Sequence, residues 1–321
     1  MPDPRPTLSL AHSPDPDDAF MWWPITGKVY PLPLGGRAGE GLADQVDVYE
    51  PPVIDTGRFR FRALPADIEV LNRRAAERGD LDITALSFRA YCDVKARYAI
   101  TRTGSSFGDG FGPKVICRRD QTGDAVGVHC ENCLRNRDAR IAVPGRRTTA
   151  FLLLGMLLGP RAAEFETKFI EMPFDQMEPA VVNRTLDGFV AVEPNVTVPS
   201  KVNKKTKVLG YPLGGIAPRL LIASYFASDA WIQKNVGTVK AFATALNRGI
   251  DAHNANPEEA KAVLARYTGR KPEVLKEMVL PAFEKKILES DLQPMMDVSL
   301  RYKLIEKKFP PREVISQYAL A

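Results

Sequence analysis

The sequence of 321 residues lacks the features that define several classes of protein. Its longest apolar run, Ala150–Leu158, falls well short of the roughly 20 residues of a membrane-spanning helix. Four cysteines do not build a disulfide framework, and three histidines leave few candidate bases. The N-terminal segment has no positive region followed by an apolar one, so no secretory signal is expected. The predicted location is the cytoplasm, or the periplasm only if a leader is missing from this numbering.

The charge balance is mild. There are 44 basic and 39 acidic residues, which gives a net charge of +5, and these charges are scattered along the chain. Nucleic-acid binding is therefore not indicated. A hydrophobic content of 45% is ordinary for a globular protein, and the length allows two lobes of about 150 residues each.

One stretch near the N-terminus, His12–Phe20, combines a strand end, two prolines and a helix start. Ser13 and Asp15 can hydrogen-bond to nearby backbone groups and cap the turn, and Asp17 lies where a helix would begin. A strand, a stiff polar turn and a helix N-terminus together form a ligand corner in α/β folds. The alternative is a capped helix start without a ligand. Trp22 and the tryptophan after it are predicted to belong to the core.

Strands and helices alternate through the first two-thirds of the chain, which predicts an α/β fold. We expect a first lobe over residues 1–118, a second over 119–211, and a crossover with C-terminal helices over 212–321 that pack on the first lobe. A cleft between the lobes is the default ligand site. The C-terminal helices are predicted at Ser228–Asn254, Pro257–Tyr267, Pro272–Phe283 and Pro294–Lys307.

Several polar positions fall where strands end or helices begin. Ser87 is predicted to follow a buried strand, as a ligand contact or a helix cap. Arg146 and Arg147 precede Thr148 and Thr149 at the start of an apolar helix, which indicates a carboxylate seat; the alternative is an N-cap with solvated arginines. Glu193 is expected to be exposed to the cleft, where it accepts a ligand hydroxyl or forms a structural ion pair.

The remaining candidates are glycines and cysteines. The stretch Gly104–Pro113 is predicted to form a glycine loop before a strand, and because its run Gly108–Gly112 does not open a helix it is not a dinucleotide fingerprint. Such a loop lets backbone N–H groups approach a ligand or a crossing strand closely. His129, Cys130 and Cys133, with Cys117, could hold zinc or form a redox pair. A second cysteine pair is missing, so inert loop cysteines are favoured, and neither metal nor cofactor is predicted.

The order and spacing of six segments resemble the MqnA/MqnD family of menaquinone biosynthesis, which contains 1,4-dihydroxy-6-naphthoate synthase and chorismate dehydratase. The resemblance covers about residues 7–220. It implies a two-lobed type II periplasmic-binding-protein fold and a lyase that splits a cyclised futalosine derivative without a metal or organic cofactor. The segments are His12–Phe20, Thr84–Ser87, Gly108–Pro113, Ile141–Gly145, Thr148–Ala150 and Pro212–Gly215.

From about Val239 the chain instead resembles solute-binding proteins of ABC transporters for nitrate, sulfonates and pyrimidine precursors. The family synthases also carry a proposed histidine base where this chain has Val192. Without that imidazole, His12 is the remaining candidate base. The ligand-binding set predicted from the residues and the resemblance comprises Ser13, Asp15, Asp17, Ser87, Gly110, Gly112, Thr148, Thr149, Glu193 and Gly214.

Two functions follow from these patterns. The first is a protein that binds a small carboxylated metabolite in the cleft and that acts as a carbon–carbon lyase if a base is present. The alternative is a non-catalytic solute-binding protein that delivers a small anion to an ABC permease.

Overall fold

The computed structural model describes residues 4–13, 16–29, 48–57, 59–108, 112–119, 125–126, 139–158, 169–210, 220–268, 270–303 and 305–319. The chain forms two compact units. The first contains Met1–Phe107, Leu220–Pro272 and Ala282–Ala321, and the second contains Gly108–Arg219 and Glu273–Pro281. No helix in these described ranges is long and apolar enough to cross a bilayer.

The first unit is built from strands and helices that come from three stretches of chain. In chain order they are β1 (Thr7–His12), α1 (Pro16–Thr26), β2 (Lys28–Val29), β3 (Val48–Glu50), β4 (Arg60–Pro65), α2 (Ile68–Glu77), β5 (Ile83–Ser87), α3 (Phe88–Val94) and β6 (Tyr98–Gly108). The second unit follows with β7 (Lys114–Arg119), β8 (Ala125–Val126), β9 (Ile141–Val143), α4 (Thr149–Leu158), β10 (Phe169–Glu171), α5 (Phe174–Val182), β11 (Gly188–Ala191), a π-helical turn (Val198–Val202) and β12 (Thr206–Gly210). The chain then returns to the first unit with β13 (Leu220–Ser228), α6 (Asp229–Lys234), α7 (Val236–Ala255) and α8 (Pro257–Thr268). Helix α9 (Pro272–Lys276) lies almost wholly in the second unit, and the first unit is completed by β14 (Ala282–Glu284), α10 (Glu289–Arg301) and two 3-10 turns (Pro311–Glu313 and Gln317–Ala319).

The first sheet has the strand order β14-β6-β13-β5-β1-β4. Strand β1 is parallel to both β4 and β5, and β13 is antiparallel to β5. The tryptophans Trp22 and Trp23 of α1 are almost fully buried, so the prediction that they belong to the core is confirmed. A short ribbon of β2 and β3 is fixed to α8 because the Lys28 ammonium lies 2.9 Å from the Glu50 carboxylate and 3.0 Å from that of Glu259.

The second sheet has the order β10-β9-β11-β7-β12, and β8 pairs with β7. Strands β9, β10 and β11 are parallel, whereas β7 is antiparallel to its neighbours β11 and β12. Apolar side chains fill both faces. One face buries Val115, Leu154 and Val190, and the other buries Met177 and Phe189. The predicted first lobe extends to residue 118, but the N-terminal stretch of the first unit ends at Phe107. The strand β7, which follows, pairs within the second sheet.

The α/β class is confirmed, with several local corrections. Residues Gly104–Gly108 were expected in a glycine loop, but they complete the long strand β6. The helix predicted at Ser228–Asn254 is interrupted at Asn235, between α6 and α7. The helix predicted at Pro272–Phe283 is wrong beyond its first turn, because Ala282–Glu284 pairs with β6 as strand β14.

Candidate functional site

The carboxyl ends of β1, β4 and β5 lie at one edge of the first sheet because these strands are parallel; we call this the first polar edge. It carries His12 at the end of β1 and Ser87 at the end of β5. Carboxyl edges of parallel strands are where α/β folds place ligands. The polar side chains here are nevertheless buried, with His12 at 0% exposure and Ser87 at 5%.

His12 is held by its neighbours in a single tautomer. Its Nδ1 lies 2.8 Å from the Ser13 carbonyl oxygen, which only accepts hydrogen bonds, so Nδ1 carries the proton and Nε2 is an acceptor. The imidazole stacks on the Trp22 indole with ring centroids 4.0 Å apart. Burial lowers the pKa of His12 to about 3, although the hydrogen bond to Ser13 acts in the opposite direction. The ring is therefore neutral at pH 7 but a weak base.

The turn after β1 is closed by Asp18, which lies at the start of α1. The Ser13 backbone N–H donates to Asp18 Oδ2 at 2.9 Å, and both residues are about 1% exposed. Asp17 lies in α1, but its side chain, like Asp15, Gly110 and Gly214, lies outside the described part of the structure. The ligand roles predicted for these four positions therefore stay predictions.

Ser87 is engaged with α2 and does not cap α3. Its backbone N–H donates to Asn72 Oδ1 at 3.1 Å, and Asn72 Nδ2 donates to Ser87 Oγ at 3.2 Å. The Ser87 side chain makes no cap bond to α3, so the helix-cap alternative is wrong. Asn72 is fully buried and was missed. A polar residue beside the apolar face of a predicted helix was the available signal.

The glycines at the end of β6 and before β7 have packing or conformational roles. Gly104 has φ +68°, and an added Cβ would lie 2.2 Å from Leu246 and 2.8 Å from Tyr225. Its absent side chain therefore admits the helix α7 and the strand β13 within the first unit. Gly112 has φ 134°, in the region that favours glycine. Its predicted ligand contact is untested.

The carboxyl ends of β9, β10 and β11 meet at one edge of the second sheet, which we call the second polar edge. Helix α4 begins there, six residues after β9 ends, so its N-terminal backbone N–H groups lie at this edge. Thr148 and Thr149 are buried at the start of this helix. The prediction that Thr148 and Thr149 lie at the start of an apolar helix is confirmed.

Thr148 acts as the cap of α4. Its hydroxyl donates to the Gly145 carbonyl at 2.7 Å and accepts the Phe151 backbone N–H at 3.2 Å. Arg146, which was predicted to contribute charge to a carboxylate seat, instead pairs with Glu171 at 3.1 Å and donates to the Phe169 carbonyl at 3.4 Å. The cationic part of the predicted seat is thus already balanced at Arg146.

Glu193 follows β11 but is not exposed as predicted. Its side chain is 1% exposed, and its two carboxylate oxygens accept the Thr197 backbone N–H and hydroxyl, each at 3.0 Å. Lys114 Nζ lies 3.9 Å from Oε1. Burial raises the pKa of Glu193, opposed by Thr197 and by the Lys114 charge. The sequence analysis did not predict that Thr197 and Lys114 contact Glu193. The four-residue spacing between Glu193 and Thr197 was the available signal for the Thr197 contact.

Val192 precedes this carboxyl group and is 7% exposed, so it packs as an apolar residue. No histidine occurs among the described residues of the second unit. Cys117 is buried in β7, and burial raises the pKa of its thiol to about 11. His129, Cys130 and Cys133 lie outside the described residues, and within the described ranges no cluster of three metal-ligating side chains occurs.

A family model described as menaquinone biosynthesis matches residues 8–290. The chain belongs to this menaquinone-biosynthesis family. The match continues beyond Val239, into the part that resembles solute-binding proteins. Among curated relatives, the 1,4-dihydroxy-6-naphthoate synthase of Thermus thermophilus is 29% identical over 266 residues, which cover 79% of this chain and 76% of the relative.

Solved structures confirm the predicted periplasmic-binding-protein fold. Protein AF1704 of Archaeoglobus fulgidus is 25% identical, with a TM-score of 0.66, and the match covers 93% of this family member and 98% of AF1704. The periplasmic aliphatic sulphonate-binding protein SsuA of Escherichia coli is 12% identical with a TM-score of 0.63, and the match covers 98% of each chain. At that identity the likeness shows the fold alone.

Proposed function

We propose that the protein binds a small carboxylated metabolite of menaquinone biosynthesis through the second polar edge, and that it lacks the proton-abstracting base of the family's lyases. The observation that carries the proposal is the start of α4, where Thr148 and Thr149 lie at a carboxyl edge beside helix N–H groups. Oriented N–H and hydroxyl donors at a helix N-terminus stabilise an anionic group.

The absence of catalysis is argued from Val192. The resemblance puts the family's base at this position, and an aliphatic side chain neither accepts nor donates a proton. Positioned acid–base catalysis supplies about 10²–10⁴-fold in rate, so most of that factor is missing here. Glu193 is next along the chain, but its carboxylate oxygens are engaged by Thr197. His12 offers a neutral imidazole, but a pKa of about 3 makes it a poor proton acceptor near pH 7.

A second candidate function is a non-catalytic solute-binding protein that serves an ABC permease. The observation that favours it is the fold shared with a periplasmic sulphonate-binding protein. The two candidates differ in ligand, since the first requires a carboxylated pathway intermediate and the second a small inorganic or sulfonate anion. They also differ in location, and the cytoplasmic location stays a prediction.

Thermal melting with four compounds separates the candidates. The cyclised futalosine substrate and chorismate test the first, and an aliphatic sulfonate and nitrate test the second. A ligand present at 100 times its Kd stabilises the folded state by about 2.7 kcal/mol. Stabilisation by a carboxylated compound alone supports the proposal, whereas stabilisation by sulfonate or nitrate alone overturns it in favour of the transporter function.

An activity assay tests the missing base. We expect turnover of the cyclised futalosine substrate below one hundredth of the roughly 10 s⁻¹ of a typical enzyme. The Val192→His variant should gain activity if the rest of the site fits the substrate, and Val192→Asn, which adds a polar group without a base, should not. Parent turnover within tenfold of the typical value contradicts the non-catalytic proposal, and loss of that turnover in His12→Ala would identify His12 as the base.

A further inference from the structure

The second unit carries a cluster of lysines at one edge of the sheet formed by its described strands. Strand β12 is the last strand in the order β10-β9-β11-β7-β12, and the turn before it is continuous with the π-helical turn. Every residue from 201 to 208 except Thr206 is exposed. We call this surface the basic edge; its charged members are Lys201, Lys204, Lys205 and Lys207, and its apolar members are Val202 and Val208.

Two arginines of the neighbouring strand extend the positive charge. Thr206 pairs with Arg118 in the register of β12 and β7, and the Arg119 backbone N–H donates to the Lys205 carbonyl at 2.9 Å. Both arginines are half-buried. The sequence from Pro194 to Gly210 contains no acidic residue, so the charge is not balanced along the chain.

Acidic side chains contact the basic edge at Lys201 and Asn203. Lys201 lies 4.0 Å from the Glu277 carboxylate, and Asn203 donates to Glu178 at 2.6 Å. Lys204 and Lys205 form no ion pair within the described ranges. Lys204 and Lys205, in the middle of the basic edge, therefore carry positive charge that no acidic side chain in the described ranges balances.

Two exposed aliphatic side chains flank these lysines. Val202 is 41% exposed and Val208 is 37% exposed, and they are two of the few large hydrophobic residues that the described part of the chain exposes. Lysines on an edge strand prevent pairing with other chains, and that role accounts for Lys207. It does not account for Lys201, Lys204 and Lys205, which precede the strand, or for the exposed valines.

We propose that the basic edge docks the protein on the surface of an anionic lipid bilayer. Clusters of four to eight lysines and arginines bind anionic headgroups, and aliphatic side chains between them enter the interfacial region. Base-specific recognition of duplex DNA uses bidentate side chains such as arginine, and single strands are bound through aromatic stacking. The exposed members of the basic edge are lysines and valines, which fit a fluid anionic surface better than a base edge.

The expected strength of membrane binding follows from the number of lysines in the basic edge. Each lysine near an anionic bilayer raises the partition coefficient by a factor of about five, so the four lysines together contribute several hundredfold at low salt. The attraction falls within a Debye length of about 10 Å at 0.1 M salt, so binding should weaken steeply as salt increases.

The test is sedimentation of the purified protein with vesicles. One set consists of phosphatidylcholine alone, and the other contains about one-third phosphatidylglycerol, at 50 mM and 500 mM salt. The proposal predicts binding to the anionic vesicles at low salt only. A variant with Lys201, Lys204, Lys205 and Lys207 changed to Gln should bind at least 100-fold more weakly. The matched control changes four exposed lysines of the first unit, Lys234, Lys240, Lys286 and Lys307, to Gln and should bind within about threefold of the parent.

Both variants lower the net charge from +5 to +1, since four positive charges are removed from each, so the comparison isolates position from total charge. Circular dichroism and melting of both variants establish that they fold. No binding of the parent to anionic vesicles overturns the proposal, and so does an equal loss in the two variants. Binding to a DNA duplex or to polyglutamate in preference to the vesicles overturns it in favour of another polyanion. The outcome is independent of the ligand proposed above, because no ligand is present in the assay.

Discussion

The first polar edge buries an imidazole against an indole, whereas the second buries a carboxyl group among a hydroxyl, a backbone N–H and an ammonium group. Both edges lie at the carboxyl ends of parallel strands, the place where α/β folds bind ligands. The difference lies in charge. His12 is kept neutral by burial, and Glu193 has donors on both oxygens. The same sheet position therefore supports a neutral aromatic packing cluster in one unit and a polar network in the other.

The two polar edges also differ in how the helix that begins at each of them, α1 or α4, is capped. At the first polar edge, Asp18 in the first turn of α1 is turned back to accept the Ser13 N–H. At the second, the hydroxyl of Thr148 caps α4 without adding a negative charge. An anionic ligand is repelled by a carboxylate and attracted by N–H donors, so of the two helix starts that of α4 is the more favourable for carboxylate binding.

The largest expected effect tests whether the first polar edge is core. Trp22→Ala removes a fully buried indole that stacks on His12, and such deletions cost about 3–5 kcal/mol. Urea unfolding should show this loss, while Trp231→Ala, at a half-buried position on α6, should cost clearly less. A loss below about 1 kcal/mol for Trp22→Ala would mean that the cluster does not stabilise the fold.

The second prediction uses pH to separate the edges. The unfolded histidine protonates near pH 6.5, and folded His12 does so only near pH 3, so the unfolded state binds more protons between these values. Stability is therefore complete above pH 6.5 and falls as the pH falls, by about 2 kcal/mol from pH 7 to pH 5 for this residue. His253, whose pKa burial lowers to about 4, acts in the same direction.

The parent and a His12→Asn variant should therefore differ in slope when the free energy of unfolding is measured against pH, with the variant flatter by about half. Burial raises the pKa of Glu193, so its contribution has the opposite sign, and stability rises as the pH falls through its folded pKa. Equal slopes in parent and variant would show that His12 titrates as an ordinary exposed histidine.

The third prediction concerns ligand binding at the second polar edge. Thr149→Val should weaken a carboxylated ligand by about 1–3 kcal/mol, because a charged acceptor is left short of a hydrogen bond. Calorimetry with the compound that raises the melting temperature measures this loss. The control Thr244→Val lies on the exposed face of α7 in the first unit and should bind like the parent. Unchanged affinity in Thr149→Val would place the carboxylate elsewhere.

The smallest expected effect concerns the cap. Thr148→Val removes the hydroxyl that bonds Gly145 and Phe151, which should lower the free energy of unfolding by about 1 kcal/mol. Thr148→Ser keeps the hydroxyl and should retain most of the stability. Ligand affinity should change less than in Thr149→Val. A greater loss of affinity than of stability in Thr148→Val would instead assign the hydroxyl to the ligand.

Elements specified by local sequence were predictable. The apolar segment before Ser87 is present as the strand β5, because its burial follows from a run of neighbouring apolar residues. Strand β14 was not predictable from local sequence, because its three residues become a strand only through pairing with β6, more than 170 residues earlier. Gly104 was mistaken for a loop residue, since its close contact with Leu246 exists only in the folded chain.

The features of the candidate site also differ in whether local sequence specifies them. Thr148 as a cap follows from a threonine that precedes an apolar run, which is a local signal. The burial of Glu193 depends on how the chain turns back so that Thr197 bonds both of its oxygens. The engagement of Arg146 depends on Glu171, a residue at the end of a neighbouring strand. Strand neighbours are set by sheet order, which the one-dimensional pattern does not contain.

The position of β13 bears on how the chain assembles during synthesis. This strand lies between β5 and β6 in the first sheet, yet it is synthesised only after residues 108–219. The strands of the second sheet, β7 and β9–β12, all belong to that intervening stretch. They can therefore pair before β13, which joins β5 to β6, has been synthesised. We expect the unit that begins later to fold first. A nascent chain halted before Leu220 then exposes both edges of β6 and one edge of β5, the state in which a sheet is most open to pairing with the wrong chain.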